Sequence, residues 1–187
     1  SQDTQIYMYN VVDGYSRKAV VSAHKASVCH LDFSADSQFL RSTDTSWQLS
    51  FSEVSGGGHI QSIQPVRDVK WSSLTCPLGW EVQGLWEPER TQGFGVEYTT
   101  VNRTGAGGVL ASGDNFGRVS ITRHPCTQPS AAMESYRGHG SNVRRLRWVV
   151  GDTHLISCGG SDGAVIQWRH IVDAPVDSAD EGGHSEE

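Results

Sequence analysis

The chain has 187 residues, of which 36% are hydrophobic and 9% aromatic, enough apolar side chain to bury the core of one ordinary domain. No apolar run approaches the roughly 18 residues that cross a bilayer, so a soluble chain with no membrane partner is expected. The net charge of −6 is uneven: residues 1–170 carry 15 basic and 15 acidic side chains, whereas residues 171–187 carry six acids and no base. A neutral body offers little for the counterion release that drives nucleic-acid binding, so no nucleic acid is expected either.

The opening SQDTQIYMYN lacks the charged and apolar regions of a secretory signal and reads as strand in mid-fold, so a chain that starts inside a larger fold is expected. Cys29, Cys76, Cys126 and Cys158 contain no Cys-x-x-Cys pair, which predicts four reduced, mostly packed thiols in a cytoplasmic protein. Runs of β-branched and aromatic residues between Gly, Asp and Ser clusters predict strands over 5–9, 18–22, 27–33, 38–42, 47–51, 59–63, 67–71, 81–86, 96–102, 108–112, 117–122, 132–136, 143–149, 154–158 and 164–169. Helical periodicity is absent, and the class is all-β.

The chain repeats itself. HKASVCHLDFSADSQFLRST from His24 aligns with HGSNVRRLRWVVGDTHLISC from His139, and the same offset of 115 positions pairs Val28 with Val143, Leu31 with Leu146, Phe33 with Trp148, Leu40 with Leu155 and Ser42 with Ser157. Each copy reads as strand, turn, strand. The second copy continues through Gly159-Gly160-Ser161-Asp162-Gly163 into a strand ending at Trp168. The Gly138-His139 pair, Asp162 in the turn and Trp168 at the strand end resemble the WD repeat.

That resemblance implies a β-propeller blade locked by a buried tetrad of His139, a hydroxyl on the middle strand, Asp162 and Trp168. Counting ten back from Trp168 puts Cys158 at the hydroxyl's place, and a thiol is the weaker donor, so a weak link is predicted there. The remaining repeats keep His24 and the turn aspartates Asp3, Asp44 and Asp114, with Tyr9, Phe51 and Thr122 in place of the terminal Trp. A blade takes about 40–45 residues and a closed ring about 4–8 blades. Residues 1–170 therefore predict an incomplete WD-repeat β-propeller of about three to four blades, one with an atypical insertion. Residues 171–187 are expected to form a disordered acidic tail.

The stretch from Arg67 to Gly117 is too long for one ordinary blade. It holds RDVKWSSLTCPLGWEVQGLWEPE and then LASGDNFGRVSITRHPC. An RD-hydrophobic-x-W strand, a TC-x-LG turn, a G-hydrophobic-W stretch and an SGD-x-FG turn follow one another in order. With IYMY, HLDFSADSQFL and GGSDGAVIQW, they resemble the C-terminal propeller of the echinoderm microtubule-associated protein-like family over nearly all of residues 1–170. The resemblance implies a non-enzymatic, cofactor-free scaffold that associates with tubulin and microtubules, in the cytoplasm on the cytoskeleton, with the remaining blades of a longer parent chain as further partners. The competing reading is a generic WD-repeat adaptor, such as a substrate receptor in a multiprotein complex, against which the insertion speaks. A propeller enzyme is disfavoured because no P-loop, G-x-S-x-G elbow or dinucleotide fingerprint occurs.

Single residues have plain readings beside their functional ones. His24 and His139 sit where blade-locking histidines belong and have no second ligand at zinc spacing. Trp71, Trp80 and Trp86 with Cys76 suit a ligand pocket, but packing of the insertion is favoured. Asp32, Asp36 and Asp44 suit turns better than paired acid and base. Arg144, Arg145 and Arg147 form the one dense basic cluster. Strand alternation opens at least one of them to solvent, or to an acidic partner such as the tubulin tails.

Overall fold

The computed structural model describes residues 1–86 and 95–172. The acidic segment expected to be disordered lies outside the described residues from position 173 onward. The described strands are β1 (Ile6–Asn10), β2 (Ser16–Val21), β3 (Val28–Phe33), β4 (Phe39–Asp44), β5 (Leu49–Glu53), β6 (Tyr98–Arg103), β7 (Val109–Asp114), β8 (Arg118–Arg123), β9 (Met133–Arg137), β10 (Val143–Trp148), β11 (His154–Gly159) and β12 (Val165–Arg169). They form four antiparallel meanders: β1-β2, β3-β4-β5, β6-β7-β8-β9 and β10-β11-β12. These are the blades of an incomplete propeller, numbered one to four in chain order.

Local chemistry closes the hairpins. Between β3 and β4, Asp36 accepts the Gln38 N–H (3.0 Å), an Asx turn that bends the chain back. Between β10 and β11, Gly151 and Asp152 take positive φ (85° and 56°). The Asp152 carboxylate then accepts the N–H groups of Gly105 (2.8 Å) and Ala106 (3.0 Å) in the neighbouring blade's hairpin. The tip of blade four is thereby stapled to that of blade three.

Alternating side chains bury one face of each sheet against the next. Ile6, Met8 and Val21 of blade one pack on Leu40 of blade two. Ala111 and Val119 of blade three pack on Val143, Leu146 and Leu155 of blade four. Blades two and three are joined differently: Leu74, Val82 and Leu85 of the insertion fill the space against Tyr98, Val101 and Leu110 of blade three. Among the described residues, β12 and β1 each leave one edge without a partner strand, the kind of edge that invites further pairing.

Three predicted strands are not strands. Residues 59–63 and 67–71 contribute one bridge each, His59 to Ser52 and Trp71 to Ser34. Pro65 starts a 3-10 turn (Gln64–Val66) between them, where its missing N–H would break a ladder. Residues 81–86 fall largely in a 3-10 helix, Trp80–Leu85. Val82 and Leu85 stand three apart, so one 3-10 turn puts both on the face against blade three.

The insertion is held by buried charge. Arg41 on β4 is 3% exposed and lies between Asp32 on β3 (1%) and Glu81 in the 3-10 helix (9%). Its Nε donates to Asp32 Oδ2 (3.1 Å), its Nη1 donates to Glu81 Oε2 (2.9 Å), and its guanidinium stacks 4.5 Å above the Trp71 ring. Asp32 also accepts the backbone N–H groups of Thr75 (3.0 Å) and Cys76 (3.1 Å). From blade three, His124 Nδ1 donates to the Gly107 carbonyl (2.9 Å) and Nε2 faces Glu81 Oε1 at 3.6 Å. Each of these ions has an oppositely charged partner, which an isolated buried charge lacks.

Burial raises the Glu81 pKa, but the nearby His124 and the hydrogen bond and charge of Arg41 outweigh it and hold the carboxyl at about 2, below its ordinary 4.5. Asp32 is lowered too: burial again opposes, and Arg41, Ser73, Thr75 and Cys76 prevail. A depressed carboxyl stabilises the fold above its unfolded pKa, and that stabilisation is lost as pH falls toward the folded value. The urea midpoint is therefore expected to drop steadily from pH about 5 to about 2, and Glu81→Gln is expected to flatten that slope. Equal slopes in the two proteins would place the acid sensitivity elsewhere.

Candidate functional site

Register defines equivalent positions. β3, β6 and β10 each carry a bulge at the same place, after Val28, Tyr98 and Val143. Ser42, Ser112 and Ser157 therefore coincide on the middle strands, as do Leu40, Leu110 and Leu155.

In blade four, His139 Nε2 lies 2.7 Å from Ser157 Oγ and Nδ1 lies 3.1 Å from Asp162 Oδ2. Trp168 Nε1 donates to the same Ser157 oxygen (2.8 Å). A carboxylate only accepts, so Nδ1 carries the imidazole proton toward Asp162; in the neutral ring Nε2 then accepts the Ser157 hydroxyl, whose oxygen accepts the indole N–H. Cys158 does not hold the hydroxyl's place; Ser157 does. Strand side chains alternate, so a slip of one residue moves the group to the other face, where Cys158 sits half-buried opposite Arg145 and Val165.

Blade two repeats the linkage without the indole. His24 Nε2 meets Ser42 Oγ at 2.7 Å and Nδ1 meets Asp44 Oδ2 at 3.0 Å. Burial raises the Asp44 pKa, but hydrogen bonds from Ser46, Gln48 and His24 bring it down to about 2. The residue equivalent to Trp168 is Ser52, whose hydroxyl has no partner among the described residues. The residue before the histidine changes in step. A Cβ on Gly138 would stand 2.7 Å from the Trp168 ring, and blade two, lacking that ring, has Ala23 there.

The aspartate reaches its place by two routes. Asp44 and Asp114 end their own strands, opposite Val28 and Tyr98, but the equivalent residue in blade four is Gly159, opposite Val143. Asp162 comes from the following turn, and a Cβ on Gly159 would stand 1.7 Å from its Oδ1. The glycine leaves the room that the carboxylate fills. In blade three Asp114 Oδ2 instead accepts Arg118 Nε (2.6 Å), and the Ser112 hydroxyl is left without a partner among the described residues. Asp3 closes the first turn, accepting the Gln5 N–H (3.1 Å) and the Tyr7 hydroxyl (2.9 Å).

The first strands of blades two, three and four are bonded to one another. His30 Nε2 on β3 donates to the Thr99 carbonyl on β6 (3.0 Å), and the Thr99 hydroxyl donates to the Val143 carbonyl on β10. Arg145 on β10 reaches back to the Cys29 carbonyl on β3 (3.0 Å). The bulge after Val143 turns Arg144 and Arg145 outward together, and Arg147 is exposed too. Beside them lies Trp47, absent from the sequence-based candidates, 38% exposed at a φ of 65° that bulky residues avoid. Of the insertion's aromatics, Trp71 and Trp86 are packed and Trp80 is 58% exposed.

Ser157→Ala is expected to cost about 1–3 kcal/mol, because it strips both the indole N–H and the imidazole of a buried partner. Cys158→Ser is expected to stay within about 0.5 kcal/mol. Gly159→Ala is expected to resemble Ser157→Ala, since its methyl collides with the Asp162 carboxylate. Chemical denaturation midpoints of the three variants separate these outcomes, and a larger loss for Cys158→Ser than for Ser157→Ala would reverse the assignment.

Comparison with known proteins adds the lineage. The model of the echinoderm microtubule-associated protein second beta-propeller matches residues 1–170. Echinoderm microtubule-associated protein-like 1 of Mus musculus is 37% identical over 174 residues, covering 91% of this chain and 21% of its own length. The 77 kDa echinoderm microtubule-associated protein of Lytechinus variegatus is also 37% identical, with 91% and 26% covered. Echinoderm microtubule-associated protein-like 4 of Xenopus tropicalis is 34% identical, with 91% and 18% covered. The chain thus spans about a fifth to a quarter of the length of these relatives. With 37% identity over most of its length and one model spanning all four blades, the chain belongs to the echinoderm microtubule-associated protein-like family.

Proposed function

We propose that this chain serves as a non-catalytic interaction scaffold of the microtubule-associated type, in the cytoplasm on the cytoskeleton, with tubulin or other proteins as partners. The observation that carries the reading is the likeness to proteins named for association with microtubules, at 37% identity over 91% of the chain. The site chemistry is in keeping with it. His24, His139, Asp44, Asp114 and Asp162 hold strand ends together. A β-propeller in which these side chains stay fixed presents rigid blade edges and loops, which suits docking.

The reading is tested by co-sedimentation of the 187-residue chain with assembled microtubules over a range of tubulin concentrations. Saturable pelleting that weakens as salt is raised is expected, because steering between charged surfaces is screened by salt. Pelleting no greater than that of an unrelated protein of equal size would contradict a direct microtubule role for this chain.

A further inference from the structure

Where β3, β6 and β10 begin, the surface dips into a cavity of about 270 Å³. Its lining includes Arg144 and Arg145, Trp47 and Pro77, and Thr99 and Glu97. Arg145 spends two N–H groups on the carbonyls of Arg144 (2.8 Å) and Cys29 (3.0 Å), and a guanidinium has five. Among the described residues none of Arg144, Arg145 and Arg147 is paired with a carboxylate. Asp44 also borders the cavity, but His24, Ser46 and Gln48 occupy its oxygens. Burial first, then the charge of Arg145, drives the neighbouring His30 down to about 4 against the opposing Thr99 hydrogen bond and Asp32 charge.

Trp47 stacks edge-on against Trp86, ring centroids 5.0 Å apart, and keeps its partly exposed ring at the rim although its backbone takes a conformation that favours glycine. That conformation belongs to the turn between β4 and β5, where the Trp47 N–H bonds to the Asp44 carbonyl (3.1 Å). Glu97 forms no ion pair among the described residues, so it repels an unbroken run of acids and favours a carboxylate set beside an apolar side chain.

We propose that this cup docks an acidic peptide segment of a partner protein, one carboxylate seated on Arg144 and Arg145 and an adjoining apolar side chain laid on Trp47 and Pro77. The assignment concerns the chemistry of the surface and stands whether or not the partner is a microtubule.

The test is fluorescence anisotropy of a labelled decapeptide, glutamates alternating with glycines around one central phenylalanine, titrated with the 187-residue chain. Binding is expected, and it weakens about tenfold, or about 1.4 kcal/mol, when the glutamates become glutamine or in Arg144→Glu. It also weakens when the phenylalanine becomes glycine and in Trp47→Gly. Neither Arg144 nor Trp47 forms a side-chain hydrogen bond among the described residues, and glycine accepts the φ of position 47; thermal melting confirms that both variants fold. Absence of binding by the folded chain, equal binding of the glutamine peptide, or binding unchanged in both variants would each overturn the proposal. None of these outcomes bears on co-sedimentation, so the two readings fail separately.

Discussion

A single guanidinium, that of Arg41, ties blade two to the insertion that packs against blade three. It neutralises Asp32 on its own sheet and Glu81 on the insertion, and it lies against Trp71. Asp32 in turn fixes the backbone at Thr75 and Cys76. Those bonds set the position of Leu74, Val82 and Leu85, the side chains that fill the gap before blade three. A hydrophobic wedge alone would tolerate sliding, because apolar contact is non-directional. The buried ions give it one position, since any other leaves a charge without its partner.

The blades share a scheme and vary in how they complete it. A serine on the middle strand and a carboxylate at its end recur in blades two, three and four, but the group that meets the carboxylate is a histidine in two and four and Arg118 in three. Only blade four adds the indole, and it alone draws its carboxylate from the following turn, over Gly159. What stays constant is the physical requirement that the polar groups at a buried strand end be satisfied. The unpartnered hydroxyls of Ser52 and Ser112 show where the scheme is abridged.

Much of this is legible in the sequence wherever the argument stays within a strand. The alignment from His24 to His139 pairs Ser42 with Ser157, the two serines that bond those histidines. Counting back from Trp168 fails by one residue because the count crosses a turn, and turn length is not fixed by the strand period. The run 81–86 misleads because an apolar cluster of strand length carries no sign of which period it will follow. Alternation predicts one exposed arginine or more, but the bulge that exposes two adjacent ones depends on the pairing of two strands. Arg41 is the least legible of all: its carboxylate partners stand at positions 32 and 81, and Asp32 in isolation reads as ordinary turn chemistry.

The central claim, that buried charge fixes the insertion between blades two and three, is tested most directly by a double-mutant cycle on Arg41→Met and Glu81→Met, read by chemical denaturation. Arg41→Met leaves the buried Asp32 and Glu81 without their cation and is predicted to lose about 3–5 kcal/mol, whereas Glu81→Met leaves Arg41 paired with Asp32 and is predicted to lose less. The double variant removes the pair together and is predicted to lose less than the sum by about 1–3 kcal/mol. Losses that add to within about 0.5 kcal/mol would show that the two groups act independently, and would contradict the account.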